Sequence, residues 1–357
     1  MIVEEGEVEQ TVVEGRTVRL HKEVIRLEGE VPIFLVRKHL VGGATRPAVL
    51  LVHGFAQNRY SWHNSRRSMS AWLAERGWDT WNLELRGHGR SRHAGGDGAE
   101  QFPDYVEDVR RASQAIGSPA FWVGHSLGGT ALYAAAAELW ERDHGGPAGP
   151  GILPRGVVGI GALYSFGRSN RMLGVLGRLT HSVREAPWMP RLQVRTRLAG
   201  ALLSRLYGVS DIAGYAFPIS GWWPGSIEPE ILQERLEQGF DWTSVRVWQE
   251  MARWAATGRF EWDQAWAQAD LPVLVLAGDE DHLMPPDDAR VAFERSGSSD
   301  KRFLIFDDWS HQSHWGHLDL VLGRLAPVHV WPEIDAWMEE RLGGTGPVRL
   351  GSGSVSA

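Results

Sequence analysis

The sequence contains no cysteine among its 357 residues. This absence excludes a disulfide framework, a thiolate nucleophile and a zinc site built on cysteine ligands. The chain also lacks any apolar run near the roughly 20 residues that a membrane-spanning helix needs. Its first residues are acidic, whereas a signal peptide begins with a basic segment followed by an apolar one. We therefore expect a cytoplasmic protein without a transmembrane segment.

An excess of positive charge is lacking as well. The formal net charge of −7 argues against a nucleic-acid-binding protein, which needs a basic surface to neutralise phosphates. Tryptophan, in contrast, is abundant, with 18 residues. Large aromatic rings often line apolar pockets, although any single one can equally fill the core. The composition thus favours a small-molecule ligand with an apolar part.

Short, β-rich apolar segments alternate with helical patterns along most of the chain. Several of these segments lack polar alternation, as is typical of parallel strands buried on both faces. Helical patterns cover residues 65–76 and the segment after Pro103-Asp104. This order predicts a doubly wound, mostly parallel α/β sheet, with two further strands within residues 12–39 as an antiparallel edge. The predicted inner strands are residues 47–52, 78–85, 120–123, 156–163, 272–277 and 301–306.

The alternation of predicted strands and helices is absent from residues 166–270. This stretch is rich in Trp, Arg, Gly and Pro and is too long for a plain loop. We expect residues 166–270 to form an inserted, mainly helical cap on a core of residues 1–165 and 271–342. The basic first half of the cap either lies on solvated helix faces or attracts an anionic substrate or a membrane surface. Residues 343–357, small, polar and Gly/Ser-rich, are predicted to be a disordered tail.

The candidate nucleophile is Ser126, within Gly124-His125-Ser126-Leu127-Gly128. Apolar residues before it predict the end of a buried strand, and an alanine-rich segment after it predicts a helix. A serine on such a tight strand-to-helix turn exposes its hydroxyl, and the glycines avoid collisions with the neighbouring strand and helix. This context favours a nucleophile over an incidental serine in a glycine-rich turn.

A second segment, His53-Gly54-Phe55, directly follows a predicted strand. Acyl transfer develops negative charge on a carbonyl oxygen, and backbone N–H groups must already point at that oxygen. The N–H groups of Phe55 and Leu127 are the candidates for this oxyanion hole. His53 itself is interpreted as a structural residue that orients the loop.

Three motifs in this order resemble the α/β-hydrolase superfamily: His53-Gly54-Phe55, Arg86-Gly87-His88-Gly89-Arg90-Ser91 and Gly124-His125-Ser126-Leu127-Gly128-Gly129. The resemblance covers residues 30–165 and 270–340 and does not extend to the cap. It implies an α/β-hydrolase fold with a carboxylate after a late strand and a histidine near the C-terminus.

The segment Gly278-Asp279-Glu280-Asp281-His282-Leu283-Met284-Pro285 resembles the turn that carries the family's carboxylate. The resemblance points to Asp281, with Asp279 as the rival. The carboxylate would fix the tautomer of the histidine and stabilise the imidazolium that forms during catalysis. An alternative acid position after residues 156–163 looks vacant, because no Asp or Glu occurs there before Glu185.

Three histidines are candidates for the base: His311, His314 and His317. His317 comes first, because Trp315-Gly316-His317-Leu318-Asp319 resembles a signature of the acid-lipase-like and polyhydroxyalkanoate-synthase-like branches, in which this histidine is the base. His311 would give a more ordinary loop length after the preceding strand. Asp319 is interpreted as a carboxylate in the first turn of a helix. The histidines lack paired carboxylates at ligand spacing, so neither a metal nor a cofactor is expected.

The order serine, aspartate, histidine predicts acyl-enzyme chemistry. Serine at the nucleophile position argues against the epoxide and haloalkane chemistry of relatives that carry aspartate there. We predict a serine carboxylic-ester hydrolase, esterase- or lipase-like, acting on a small-molecule ester with an apolar part. The same triad would also serve an acyltransferase, thioesterase or cyclase, and a non-catalytic ligand receptor is the alternative from another class. The sequence does not indicate the oligomeric state.

Overall fold

The computed structural model of the chain describes residues 1–95, 98–145, 151–164, 193–195, 221–239 and 241–342. Within these residues, nine strands form a central sheet and two short strands form a separate antiparallel pair. The strands are β1 (Ile2–Val13), β2 (Arg16–Leu27), β3 (Ile33–Leu40), β4 (Ala48–Val52), β5 (Asp79–Glu84), β6 (Phe121–His125), β7 (Gly156–Ile160), β8 (Gln193–Arg195), β9 (Trp242–Ser244), β10 (Val273–Gly278) and β11 (Lys301–Phe306).

Helices flank this sheet and follow most of its parallel strands. The described helices are α1 (Met69–Glu75), α2 (Gly89–His93), α3 (Pro103–Ile116), α4 (Leu127–Asp143), α5 (Pro229–Gln238), α6 (Val245–Thr257), α7 (Asp263–Trp266), α8 (Pro286–Arg295), α9 (Asp308–His311), α10 (Asp319–Leu322) and α11 (Ala326–Glu339), with a 3₁₀ turn at Arg59–Ser61. In the ranges given above, no helix is both long and apolar enough to cross a bilayer.

The sheet has the order β1-β2-β3-β5-β4-β6-β7-β10-β11. Six strands of this sheet are parallel to one another: β4, β5, β6, β7, β10 and β11. They coincide with the six predicted segments, so the prediction of a doubly wound, mostly parallel sheet is confirmed. Every residue of β4, β6, β7 and β10 is buried, which explains why these segments show no polar alternation.

The N-terminal edge differs from the prediction of two strands within residues 12–39. The structure has three antiparallel strands there, because β1 begins at Ile2 and pairs with β2 along most of its length. The first six residues of β1 are exposed and three of them are glutamates, so this part of the strand lacks a regular apolar pattern. The antiparallel character of the edge is confirmed, and β3 joins it to the parallel strands through β5.

The core has two layers, one on each face of the sheet. Leu50 and Val52 of β4 face a cluster that contains the buried residues of α3 and α4. Val49 and Leu51 face the opposite cluster, which contains those of α1 and α11. The period-two alternation of the strand therefore buries both of its sides.

A buried ion pair fixes the loop after β5. Arg86 donates from Nη2 to Oδ1 of Asp108 over 2.7 Å and from its backbone N–H to Oδ2 over 2.8 Å. Asp108 belongs to α3 and is completely buried. This contact holds the start of the segment 86–91 against the helix that packs beside the site described below.

Removal of this carboxylate is expected to destabilise the fold strongly. In Asp108→Ala the half-buried Arg86 guanidinium would lose its closest partner and keep only Asp104, 3.4 Å away, which costs about 3 kcal/mol of the free energy of unfolding. Urea unfolding measures this loss. The control is Glu107→Ala, since Glu107 pairs with Arg110 at 3.0 Å on the exposed side of α3 and should cost at most about 1 kcal/mol. Equal losses in the two variants would contradict the prediction.

Candidate active site

The predicted site residues converge at one edge of the sheet. Phe55 follows β4, Ser126 directly follows β6, and Asp281 follows β10. His317 lies between α9 and α10, beyond the end of β11. Because β4, β6, β10 and β11 are parallel, their carboxyl ends lie at the same edge, where α/β sheets bind their ligands.

Ser126 lies on a strained turn between β6 and α4. Its backbone has φ 55° and ψ −128°, a region that residues other than glycine rarely adopt. The Ser126 N–H donates to the carbonyl oxygen of Ile160, at the end of β7, over 2.9 Å. The side chain is half-buried and precedes the first residue of α4, Leu127. This is the strand-to-helix turn that the sequence predicted.

Glycines surround this serine because other elements lie against the turn. A Cβ atom on Gly124 would lie 2.5 Å from the backbone nitrogen of Gly129. A Cβ atom on Gly128 would lie 2.4 Å from the carbonyl oxygens of Val52 and His53. A Cβ atom on Gly54 would lie 2.9 Å from the Cβ atom of Ser126. Strand, helix and loop therefore meet at a separation that only glycine permits.

The substitution Gly128→Ala is expected to destabilise the protein by about 1–3 kcal/mol or more, because backbone atoms must move to admit the methyl group. The same movement displaces the loop that carries Phe55, so any catalytic turnover at this site should fall with stability. Thermal unfolding and a turnover assay measure the two effects. Gly6→Ala is the control, since a Cβ atom there meets nothing within 4 Å. Equal melting temperatures and equal turnover in the two variants would show that the turn is not tightly packed.

Asp281 and His317 form a buried pair. Nδ1 of His317 lies 2.7 Å from Oδ2 of Asp281. The other carboxylate oxygen, Oδ1, accepts from the backbone N–H groups of Leu283, at 2.9 Å, and Met284, at 2.7 Å. Since the carboxylate accepts at both oxygens, the Nδ1 atom of His317 carries the proton. Its Nε2 atom is then the one that can accept a proton.

The rival residues lie elsewhere in the same loops. Asp279 accepts from the backbone N–H of Trp315 at 2.8 Å and lies 2.5 Å from Nδ1 of His314. The hydrogen bond with Asp279 raises the pKa of His314 above its ordinary value. His311 accepts at Nδ1 from the backbone N–H of Asp307 over 3.3 Å. Of the three candidate histidines, His317 alone contacts Asp281 within the described part of the chain.

No metal was expected from the sequence, because the three histidines lack paired carboxylates at ligand spacing. The structure brings ligand atoms of Asp279, Asp308 and His314 to within 4.8 Å of one another, so carboxylates do lie beside one histidine. The sequence did not reveal this group, because Asp279 comes from a different loop. All three residues are half-buried or exposed.

Two neighbours join the Asp281–His317 pair to the turn that carries Ser126. Nε2 of His125 lies 3.0 Å from the carbonyl oxygen of His317, and the centroids of the two rings are 4.5 Å apart. Burial lowers the pKa of His125 well below its ordinary value, so its ring is neutral and donates through Nε2. Gly161 follows Ile160, the residue that accepts the Ser126 N–H. A Cβ atom on Gly161 would lie 3.0 Å from Nδ1 of His317. The sequence analysis assigned no role to His125 or Gly161, although His125 lies within the pentapeptide.

The loop after β4 is held from within by His53. Nδ1 of His53 lies 3.0 Å from the carbonyl oxygen of Gly54, and Nε2 accepts from the backbone N–H of Leu85 over 3.2 Å. The ring is fully buried, and burial lowers its pKa well below the ordinary value. A neutral ring with both nitrogens engaged orients the backbone at Phe55, which agrees with the structural role predicted for His53.

Asp319 lies in the first turn of α10, as predicted, and also has partners that the sequence did not indicate. It accepts from the backbone N–H of Gly316 over 2.6 Å, from the backbone N–H of Trp223 over 2.7 Å and from Oγ of Ser226 over 2.6 Å. Burial raises its pKa to about 7, although these hydrogen bonds favour the ionised form. Asp319 therefore fixes the loop that carries His317 against residues 223–226.

The predicted cap is described in part. Residues 221–239 and 241–270 contain α5, β9, α6 and α7, whereas the basic first half of the predicted cap and residues 343–357 lie outside the described residues, apart from β8. Trp248 of α6 lies with its ring centroid 6.4 Å from that of Phe55, and both side chains are half-buried. Asp241 accepts from the backbone N–H of Gly89 over 2.8 Å, which ties this segment to the loop after β5.

Comparisons with known proteins agree with this geometry. A family model described as the alpha/beta hydrolase fold matches residues 47–143, which contain the loop at Phe55 and the turn at Ser126. The chain has the α/β-hydrolase fold. The matched segment ends before Asp281 and His317, so it does not test those two residues.

Solved structures and one curated protein extend the comparison. The monoacylglycerol lipase of Paleococcus ferrophilus has 18% identity and a TM-score of 0.58, over 87% of this chain and 99% of that one. A soluble variant of the monoglyceride lipase of Saccharomyces cerevisiae has 18% identity and a TM-score of 0.59, over 90% and 96%. At these identities the likeness concerns the fold. The poly(3-hydroxyalkanoate) polymerase subunit PhaC of Haloarcula marismortui is 33% identical over 81 residues, which span 23% of this chain and 16% of that protein.

Proposed function

We propose that the protein is a serine hydrolase that cleaves carboxylic esters. The observation that carries this proposal is the 2.7 Å contact between Nδ1 of His317 and Oδ2 of Asp281, beside a serine held at φ 55° on a strand-to-helix turn. A histidine in this tautomer presents Nε2 as a base, and a serine on such a turn presents its hydroxyl as a nucleophile.

In the first half of the reaction, Oγ of Ser126 attacks the ester carbonyl carbon while Nε2 of His317 takes its proton. The carbonyl oxygen becomes an oxyanion, which the backbone N–H groups of Phe55 and Leu127 stabilise. The tetrahedral intermediate collapses, the bond to the alkoxide oxygen breaks, and His317 returns the proton to the leaving alcohol. Asp281 stabilises the transient imidazolium, and the acyl group remains on Ser126.

In the second half, water replaces the alcohol. His317 takes a proton from the water as its oxygen attacks the acyl carbon, and the same N–H groups receive the oxyanion. The ester bond to Ser126 breaks, Oγ regains the proton from His317, and the carboxylic acid leaves. The atoms therefore balance with water as the sole co-substrate.

An apolar group on the substrate fits the surroundings of Phe55. This residue supplies one proposed oxyanion donor, and its half-buried ring faces the half-buried Trp248 of α6. An acyl chain or alcohol placed at the oxyanion hole would meet these rings, and burial of apolar area there strengthens binding. Two structural neighbours are named for lipase activity on monoacylglycerols, and their fold accommodates such esters.

A fluorophosphonate probe tests the nucleophile. We expect covalent labelling of the wild type and of Ser310→Ala, in which an exposed serine of α9 is replaced, and no labelling of Ser126→Ala. Mass spectrometry of the labelled peptide locates the adduct. Labelling that survives in Ser126→Ala would contradict the nucleophile assignment. A wild type that is not labelled would favour a ligand receptor.

A panel of p-nitrophenyl esters of graded chain length tests the substrate class. We expect turnover of short to medium acyl chains. Product analysis with and without added alcohol or amine acceptors separates hydrolysis from acyl transfer, since a transferase forms the new ester or amide. No turnover of any ester would contradict ester hydrolysis and favour a thioesterase or cyclase.

A further inference from the structure

A polar cavity lies on the antiparallel edge of the sheet, and none of the proposed triad residues lines it. It measures about 210 Å³, far more than the roughly 15 Å³ that one water molecule requires. Strands β1, β2, β3 and β5 form its floor, and the segments around Arg59–Ser61 and α2 form its walls. The lining residues that the argument uses are Gln10, Lys22, Lys38, Arg59, His63 and Arg90.

Four cationic side chains converge on this cavity. The chain has only three lysines in all, and two of them, Lys22 and Lys38, line it. They are direct cross-strand partners in the β2–β3 ladder. Like charges directly opposite each other destabilise a sheet, so their pairing here calls for a compensating negative charge. Arg59 and Arg90 add two guanidinium groups to the same space.

Lys38 is the least compensated of these cations. Its side chain is buried, and Nζ donates to Oε1 of Gln10 over 2.6 Å. Throughout the described ranges, no carboxylate lies within ion-pair distance of this ammonium group. Burial, together with repulsion by Lys22, Arg59 and Arg90, lowers its pKa to about 7. At neutral pH about half of the molecules therefore carry a Lys38 ammonium group without a carboxylate partner, and a bound anion would favour this charged form.

Carboxylates balance only part of the charge. Glu84 lies 2.8 Å from Nη1 of Arg59, and Glu4 pairs with Lys22 at the rim. Four cations against these two carboxylates and Glu9, which also borders the cavity, leave a formal excess of +1. Nη1 of Arg90 is buried without a hydrogen-bond partner and lies 3.7 Å from Oε2 of Glu84. Oε1 of Glu9 accepts a hydrogen bond from the Thr17 hydroxyl, which is neutral and leaves the charge of this carboxylate in place.

The remaining titratable side chain in the cavity is His63. Its Nδ1 atom lies 2.6 Å from Nε2 of Gln10, the residue that also accepts from Lys38. Burial and the neighbouring cations lower the pKa of His63 to about 3, so its ring is neutral. The ring therefore adds no charge to the cavity and does not compensate Lys38.

We propose that this cavity binds a phosphate group. Its two guanidinium and two ammonium groups outnumber the bordering carboxylates and therefore favour an anion, and guanidinium donors suit phosphate oxygens in number and geometry. The group arrives either on a soluble compound or on a lipid head group. This site is separate from the proposed ester hydrolysis, and its test does not depend on catalysis.

Titration calorimetry with inorganic phosphate on the full chain is the first test. We expect the substitution Lys38→Met to weaken phosphate affinity at least about tenfold, because a charge-assisted hydrogen bond is lost. Lys301→Met is the control, since Lys301 donates to the carbonyl oxygens of Phe293 and Ser296 and does not line the cavity. Phosphate should also raise the melting temperature of the wild type and of the control, and not that of Lys38→Met. Equal binding by both variants would reveal an adventitious ion only and overturn the proposal.

The ammonium group of Lys38 can be followed directly. A chain labelled with ¹³C at the lysine Cε atoms gives three side-chain signals, one for each lysine. We expect one signal to titrate near pH 7 without phosphate and at a clearly higher pH with it, because a bound anion stabilises the charged form. This signal should be missing from Lys38→Met. A titration that phosphate leaves unchanged would contradict the proposal, even if the variant were poorly folded.

Co-sedimentation with vesicles distinguishes the two sources of the phosphate group. Vesicles of phosphatidylcholine with added phosphatidate present a terminal phosphate, and pure phosphatidylcholine vesicles are the control. Binding of inorganic phosphate without vesicle binding assigns a soluble ligand. Lys38-dependent binding to the phosphatidate vesicles assigns a head group. The absence of both forms of binding would overturn the proposal.

Discussion

Replacement of Ser126 by alanine is expected to lower kcat/KM for the best p-nitrophenyl ester by about 10⁴-fold or more, because no covalent acyl-enzyme can form. The N–H groups of Phe55 and Leu127 would remain in place, so a small residual rate above the uncatalysed reaction should persist. Steady-state kinetics with active-site titration measures the loss, and the titration excludes contamination by wild-type protein.

The same substitution should leave the fold intact. Ser126 is half-buried, and its backbone N–H, rather than its hydroxyl, anchors the turn to the carbonyl oxygen of Ile160. An alanine meets the same φ of 55° and therefore inherits the strain instead of relieving it. We expect a melting temperature close to that of the wild type. Activity within tenfold of the wild type would rule Ser126 out as the nucleophile.

Much of the fold was predictable because its signals are local. The strand β6, the glycines around Ser126 and the alanine-rich helix α4 follow one another along the chain, and each has its own composition. The buried strands β4 and β10 were equally clear, since strands buried on both faces are apolar throughout. The loop that carries Phe55 was then located by its position after β4, whereas Asp281 was indicated by the resemblance of its segment to the turn of a known family.

Other features depend on contacts between distant segments. Asp319 binds Trp223 across 96 residues of sequence, and no local pattern marks that partner. Asp279 and His314 meet from two loops, so the sequence analysis did not foresee carboxylates beside that histidine. Strand β1 was not predicted, because its first half has no apolar periodicity and is a strand only through its pairing with β2.

The phosphate cavity illustrates the same limit. Lys22 and Lys38 lie 16 residues apart, and only the register of β2 and β3 makes them neighbours. Arg59 and Arg90 come from two further segments. Arg90 lies within residues 86–91, which the sequence marked only as one of three motifs that resemble the α/β-hydrolase superfamily. Net charge is negative over the chain, so composition conceals a local excess of cations. Cross-strand pairing, rather than composition, reveals the site.

Replacement of Asp281 by asparagine is expected to lower kcat by about 10⁴-fold through the wrong tautomer of His317. The backbone N–H groups of Leu283 and Met284 both donate to Oδ1 of Asp281. The asparagine would keep its carbonyl oxygen at that position to accept them, and its NH₂ group would then point at Nδ1 of His317. The ring would accept at Nδ1 and carry its proton on Nε2, so it could no longer take the proton of Ser126.

The matched control is Asp279→Asn, which changes the rival carboxylate two residues away. Asp279 contacts His314 and the backbone of Trp315, so its loss should perturb the loop and lower kcat by no more than about tenfold. Measurement of kcat for both variants, with thermal unfolding to verify folding, separates the two carboxylates. A larger loss in Asp279→Asn would assign the acid to Asp279 and His314. A loss confined to Asp281→Asn assigns it to the buried pair, because the two substitutions remove the same charge from neighbouring positions.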